Sequence, residues 1–286
     1  MSEIVTRFAP SPTGALHLGH AFSAVRAHDL ARAAGGRFLL RIEDIDPGRT
    51  REAHVAAILD DLTWLGLTWD GEVVRQSARL PLYAAALDRL KAAGLAYPCF
   101  CTRAEIAASA AAPHGDGGPV YPGTCRRLDA ATREARMASE PHAWRIDMAA
   151  AVARAGALEW QDETAGIVRA DPLAQGDVVL ARKDAPVSYH LAVTVDDAAQ
   201  GVTDVVRGED LFAATDVHRL LQALLDLPTP LYHHHPLVRD IEGRRFAKRD
   251  GARPLADMRR DGVDGHALAD ALRAGRLDAG ILAASA

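Results

Sequence analysis

IVTRFAPSPTGALHLGH, residues 4–20, decides how this chain begins to fold. Its β-branched, alternating start predicts a buried strand over residues 4–8. The turn-rich SPTG then leads into a helix over 17–34, stopped by Gly35 and Gly36. Beyond it, RFLLRIED (37–44) reads as a second strand with acidic residues at its C-terminal end. Helical patterns follow at about 50–65 and 79–93, the second stopped by Gly94. Strand, helix, strand, helix in that order predicts an α/β fold with a parallel, doubly wound sheet.

Composition sets bounds on the rest. At 286 residues, 49% hydrophobic and 25% charged, the chain has room for one large domain or two modest ones. No run reaches the ~18 apolar residues of a membrane span. MSEIVTRFAP lacks the basic stretch and apolar core of a secretion signal. Three cysteines, an odd number, argue for a reducing compartment, so a cytoplasmic location is expected. With net charge −5, any nucleic-acid contact must use local basic patches.

After Pro98 the texture changes. Residues 99–126 hold all three cysteines and a Gly/Pro/Ala-rich loop, and HAWRID, GIVR and DVVLAR read as short strands. SYHLAVTVDDAAQGVTDVVRGEDL (188–211) carries a buried-strand signal again, and a helix fits at about 214–226. The expected organisation is a first half of a nucleotide-binding domain at 1–98, an insertion at 99–186, the second half at 187–252, and a short helical segment at 253–286.

His17 and His20 flank Gly19 where a strand-following loop becomes a helix, a place that attracts phosphate. Two imidazoles there can donate hydrogen bonds to phosphoryl oxygens that gain charge. Gly19 keeps a side chain out of a nucleotide's way. Alone, HxGH is equally an amphipathic helix with two surface histidines.

The whole stretch RFAPSPTGALHLGH resembles the first signature of class I aminoacyl-tRNA synthetases, in the form of the glutamate/glutamine branch. The resemblance continues through RIEDIDPGRT (41–50), SYHLAVTVDD (188–197), VTDVVRGEDLFAATDVHRLLQ (202–222) and RFAKRDGA (245–252), the second signature. It implies a Rossmann-type parallel sheet split by a zinc-containing insertion. It also implies in-line attack of an amino-acid carboxylate on the α-phosphorus of ATP, with Mg²⁺ accompanying the nucleotide. His17, His20 and Lys248 would neutralise developing charge, and His17, Gly19, His20 and Lys248 would bind ATP. Arg245 and Ala247 depart from that branch's lysine and serine, and a guanidinium is no simple substitute for an ammonium.

An acidic substrate side chain calls for a guanidinium, and Arg7 and Arg207 stand at strand ends. By resemblance, Arg7, Ala9, Ser11, Glu43, Tyr189 and Arg207 form the pocket for L-glutamate, with Glu43 on the α-ammonium. The alternative pairs each arginine with a nearby acid, such as Arg41 with Glu43 or Arg207 with Asp204.

Cys99, Cys101 and Cys125 cluster as thiolates suited to tetrahedral Zn²⁺. Chemistry alone favours His114 as fourth ligand, because a phenol with pKa near ~10 coordinates reluctantly. CFC…YPGTC resembles the zinc module of one short subgroup of these enzymes and points to Tyr121, holding one structural zinc. The other reading is three buried structural thiols. HHH (233–235) lies on an expected strand, where alternate side chains face opposite ways, so no metal is expected there and the middle histidine is expected to face the ATP pocket.

Residues 250–286 are too few for an anticodon-binding domain, which needs on the order of 100. The short subgroup shares this feature, and the resemblance implies transfer of glutamate to the queuosine base of tRNA(Asp), with the anticodon stem-loop entering the active site of a monomer. Arg244, Arg249, Arg253, Arg259 and Arg260 are candidates for its phosphates, or a solvated basic surface. Two other functions fit: a truncated glutamyl-tRNA synthetase charging a 3′ end, and a non-catalytic RNA-binding relative.

Overall fold

The computed structural model describes residues 3–102, 104–106, 120–238 and 253–275. β1 (Val5–Phe8) pairs in parallel with β2 (Arg37–Ile42), which pairs in parallel with β3 (Val74–Arg75). The helix α1 (Leu18–Ala33) makes the crossover between β1 and β2, and α2 (Glu52–Trp64) that between β2 and β3. Gly36 is where α1 turns back into β2. A Cβ there would stand 2.0 Å from the Ile4 carbonyl oxygen, so only glycine lets the turn pack so close to β1.

α3 (Leu80–Ala92) leads into a separate antiparallel sheet of β4 (Ala96–Cys99), β5 (Ala143–Ile146) and β8 (Val179–Ala181). Between β4 and β8 lie α4 (Ala130–Ser139), α5 (Met148–Ala155) and the antiparallel hairpin of β6 (Glu159–Asp162) and β7 (Gly166–Arg169). That hairpin leaves the small sheet. β6 pairs in parallel with β10 (Leu231–His235), which pairs in parallel with β9 (Asp204–Gly208). β9 lies alongside β1, tied to it by Thr203, whose N–H donates to the Val5 carbonyl at 2.9 Å. The spatial order is therefore β3-β2-β1-β9-β10-β6-β7, and the chain direction of growth reverses between β1 and β9. This is the switch point at which open α/β sheets bind ligands.

The stretch 189–199 corrects the sequence reading. It is a helix, α6 (Tyr189–Ala199), not a strand, and the strand is only β9. Leu191–Asp197 are buried on every side of α6. A helix buried all round shows no 3.6-residue stripe, so its pattern matches that of a buried strand.

α7 (Ala214–Leu224) packs on α6, and α8 (Leu255–Arg260) and α9 (Gly265–Arg273) close over α1 and α2. One core fills the space between β1, β2 and these four helices, with Leu18, Phe38, Leu40, Ile58 and Leu62 fully buried. A second joins α3, α5, α6 and α7 to the small sheet. Among the described residues no helix is long and apolar enough to cross a membrane.

Candidate active site

His17 is the N-cap of α1, and its Nδ1 accepts the Gly19 N–H at 3.2 Å. The His17 N–H in turn donates to His20 Nδ1 at 3.1 Å. This reciprocal capping arrangement uses two imidazoles where Ser/Thr and Glu commonly serve. It fixes both tautomers: each Nδ1 is an acceptor, so each proton sits on Nε2. The two rings lie 3.8 Å apart, centre to centre. A Cβ on Gly19 would press on the His17 ring at 3.2 Å, so the glycine also makes room for the imidazole that caps the helix.

His17, Gly19 and His20 line a cavity of about 800 Å³ at the C-terminal ends of β1, β2, β9 and β10. Arg7, Ala9, Ser11, Glu43, Tyr189 and Arg207 line it too. The structure thus brings together every described residue expected to meet ATP or glutamate. Lys248, Arg244, Arg245, Ala247 and Arg249 lie outside the described residues. On either side of that segment, Val238 lines the cavity and Pro254 bridges to His17.

Arg7 is buried and grips Asp197 with Nε–H at 3.1 Å and an Nη2–H at 3.4 Å. Arg41, fully buried, reaches the same Asp197 at 2.8 Å and stands 3.6 Å from Glu43. Burial pushes Asp197 up, but Arg7 and Arg41 hold it below the ordinary carboxylate range. Glu43 goes the other way: burial outweighs Arg41 and Arg7 and raises it to about 7. Asp196 anchors the layer beneath, accepting from Gln76, Arg79 and Tyr83.

Arg207 does not pair with Asp204, which is engaged by His233 at 2.8 Å. Its Nε–H donates to His234 Nε2 at 3.1 Å, and its other protons go to His218, Tyr189, Thr215 and the Leu211 carbonyl. Among the described residues it makes no ion pair. Asp197, Thr215 and His218 were not singled out from sequence. The consecutive acids of VTVDD inside an apolar run were the available signal for Asp197, since buried charge demands a partner.

The histidine run corrects a second expectation. His235, not the middle histidine, lines the cavity, where Ser23 Oγ meets its Nε2 at 2.8 Å. His234 faces the other side of β10, toward Asp162 and Trp160. The histidines alternate as expected, but the phase depends on which face of β10 meets α1.

The three sulfurs of Cys99, Cys101 and Cys125 lie within 4.8 Å of one another. Tetrahedral zinc with Zn–S of about 2.3 Å spaces its sulfurs by nearly 4 Å, so the donor set fits that ion. Tyr121 joins the cluster: its hydroxyl is 3.5 Å from Cys101 Sγ and accepts the Cys125 N–H at 2.8 Å. His114 lies outside the described residues. Arg253, Arg259 and Arg260 each stand beside an acid, Asp261, Asp60 with Asp61, and Asp257 respectively.

Comparison with known proteins places these features in a family. The family described as tRNA synthetases class I (E and Q), catalytic domain, matches residues 3–276. The glutamyl-Q tRNA(Asp) synthetase of Rhodobacter capsulatus is 54% identical over 269 residues, 91% of this chain and 96% of that protein. That of Nocardia farcinica is 50% identical over 90% of this chain and 79% of its own length. Among solved structures, glutamate-tRNA synthetase from Elizabethkingia anophelis superposes with a TM-score of 0.75 at 28% identity. That match covers 87% of this chain and 53% of the longer protein.

Proposed function

The chain belongs to the class I tRNA synthetases of the glutamate and glutamine type, and on that premise we propose that it activates L-glutamate with ATP and transfers it to the queuosine base in the anticodon of tRNA(Asp). The observation that carries the glutamate assignment is the pairing, in one cavity, of a buried guanidinium, Arg207, that has no acidic partner among the described residues, and a largely buried carboxylate, Glu43. Glutamate offers complementary groups, a side-chain carboxylate and an α-ammonium.

Glutamate would lie with its side chain toward Arg207 and its ammonium toward Glu43. Its α-carboxylate oxygen attacks the α-phosphorus of ATP, forming the mixed anhydride and releasing pyrophosphate. No protein nucleophile is needed, so catalysis is positioning and charge neutralisation. The Nε2–H groups of His17 and His20 are suited to donate to phosphoryl oxygens, and Lys248 is assigned to the phosphates with them. Mg²⁺ enters with ATP, held mostly by phosphate oxygens and water. Cys99, Cys101, Tyr121 and Cys125 would hold a structural zinc that stiffens the insertion.

The relatives named for transfer to tRNA(Asp) support the acceptor. The test is transfer of labelled glutamate to tRNA(Asp) carrying queuosine or unmodified guanosine. Label on the queuosine form alone is expected. Label on both forms, or on tRNA(Glu), would replace this reading with 3′-end charging.

A further inference from the structure

Three arginines are buried in and behind the cavity wall, and they differ in what receives their protons. Arg7 and Arg41 share Asp197. Arg207, only 6% exposed, gives every N–H to a neutral acceptor. Nε–H goes to His234, one Nη2–H to Thr215 Oγ1 at 2.5 Å and another to the Leu211 carbonyl at 3.2 Å. Nη1 serves His218 Nδ1 at 3.2 Å and, most loosely, the Tyr189 hydroxyl at 3.5 Å.

The state of His218 follows from its neighbours. Its Nδ1 accepts from Arg207, so its proton is on Nε2, which meets His190 Nδ1 at 3.2 Å. His190 therefore takes that proton's hydrogen bond and keeps its own proton on Nε2. Burial and then Arg207 hold His218 well below its ordinary range and His190 at about 4. His234, the other imidazole on Arg207, gives its Nδ1–H to Asp162 and is likewise neutral, at about 4.

We propose that His218 is a positioning residue for substrate selection: a neutral imidazole that orients the Arg207 guanidinium without cancelling its charge, leaving that charge for a carboxylate on the side chain of the amino-acid substrate. This rests on the glutamate reading above. An acid in place of His218 would satisfy Arg207 just as Asp197 satisfies Arg7. A substrate carboxylate would then meet a balanced pair, and a carboxamide would bind as well. The N–H that Tyr189 holds at 3.5 Å is the one a substrate carboxylate would take. Selectivity for acid over amide is thus set one layer behind the residue that touches the substrate.

The test compares His218→Asn with His218→Asp in amino-acid-dependent ATP–pyrophosphate exchange. Both can place an oxygen near the position of Nδ1, and H218D adds a negative charge where H218N carries a neutral amide. The glutamate KM of H218D is expected to exceed that of H218N by about tenfold or more, with the glutamate-over-glutamine preference reduced in step and the KM for ATP alike in both. A merely structural role would move both variants together, so equal glutamate KM values overturn the proposal. Should either variant fail to fold, the wild-type imidazole ¹⁵N shifts decide: a neutral Nε2–H ring at His218 near pH 7 is expected, and an imidazolium or Nδ1–H ring overturns it. Wild type with no glutamate-dependent exchange would overturn the glutamate reading itself, a separate outcome from equal KM values.

Discussion

Glu43 shows how a residue's setting sets its chemistry. Burial lifts it from the ordinary 4.5 to about 7, so near neutrality only part of it is ionised. An α-ammonium needs the ionised form. The KM for glutamate is therefore expected to fall as pH rises through about 7, read by pyrophosphate exchange, and Glu43→Gln should have a raised KM without that slope. The stability effect has the opposite sense. Between 4.5 and about 7 the folded state holds a proton that the unfolded chain has released. Stability contributed by the neutral form is thus lost as pH rises across that window, and the loss should be smaller in Glu43→Gln by chemical denaturation, Asp61, raised by burial to about 6, retaining its own share. Residue identity made Glu43, Arg7 and Arg207 legible in the sequence. Whether each guanidinium was compensated was not, because Asp197 comes from α6, far along the chain from Arg7.

At the level of elements, β1, α1, β2, α2, α3 and α7 are legible from their residue patterns, with glycines ending α1 and α3. α6 did not, because burial on all sides erases periodicity. The cysteine module is an element held by its own side chains. Two segments, 97–100 and 121–125, meet around Tyr97, Cys99, Phe100, Tyr121 and Cys125, a small core of its own. A zinc ion held there would add to the stability of so small a core. The purified protein is expected to carry about one zinc per chain by atomic emission. Cys125→Ser should lose it and unfold at a lower temperature, since metal binding adds to folding free energy. Full zinc retention in Cys125→Ser would remove that residue from the ligand set.

On the scale of the whole molecule, the cavity belongs to neither half of the sheet. Arg7 to Glu43 line it from one side, and Tyr189 to Val238 from the other. A ligand there bridges the switch point, so ATP and glutamate together are expected to raise the melting temperature more than either alone. At a hundredfold excess over Kd a ligand adds about 2.7 kcal/mol, several degrees for a chain of this size, read by differential scanning. No added shift from the pair would argue that the two ligands exclude one another instead of binding side by side. The sequence by itself determined the strand–helix alternation, the order of the signatures, the cysteine cluster and the residue types of the site, because these depend on neighbours a few positions apart. Only the tertiary structure decided that the β6–β7 hairpin joins the large sheet, that His235 and not His234 meets the cavity, and that Asp197 compensates Arg7 while neutral imidazoles leave Arg207 charged. Those depend on which distant segments pack together, and Coulomb and hydrogen-bond terms are set by distance in space rather than along the chain.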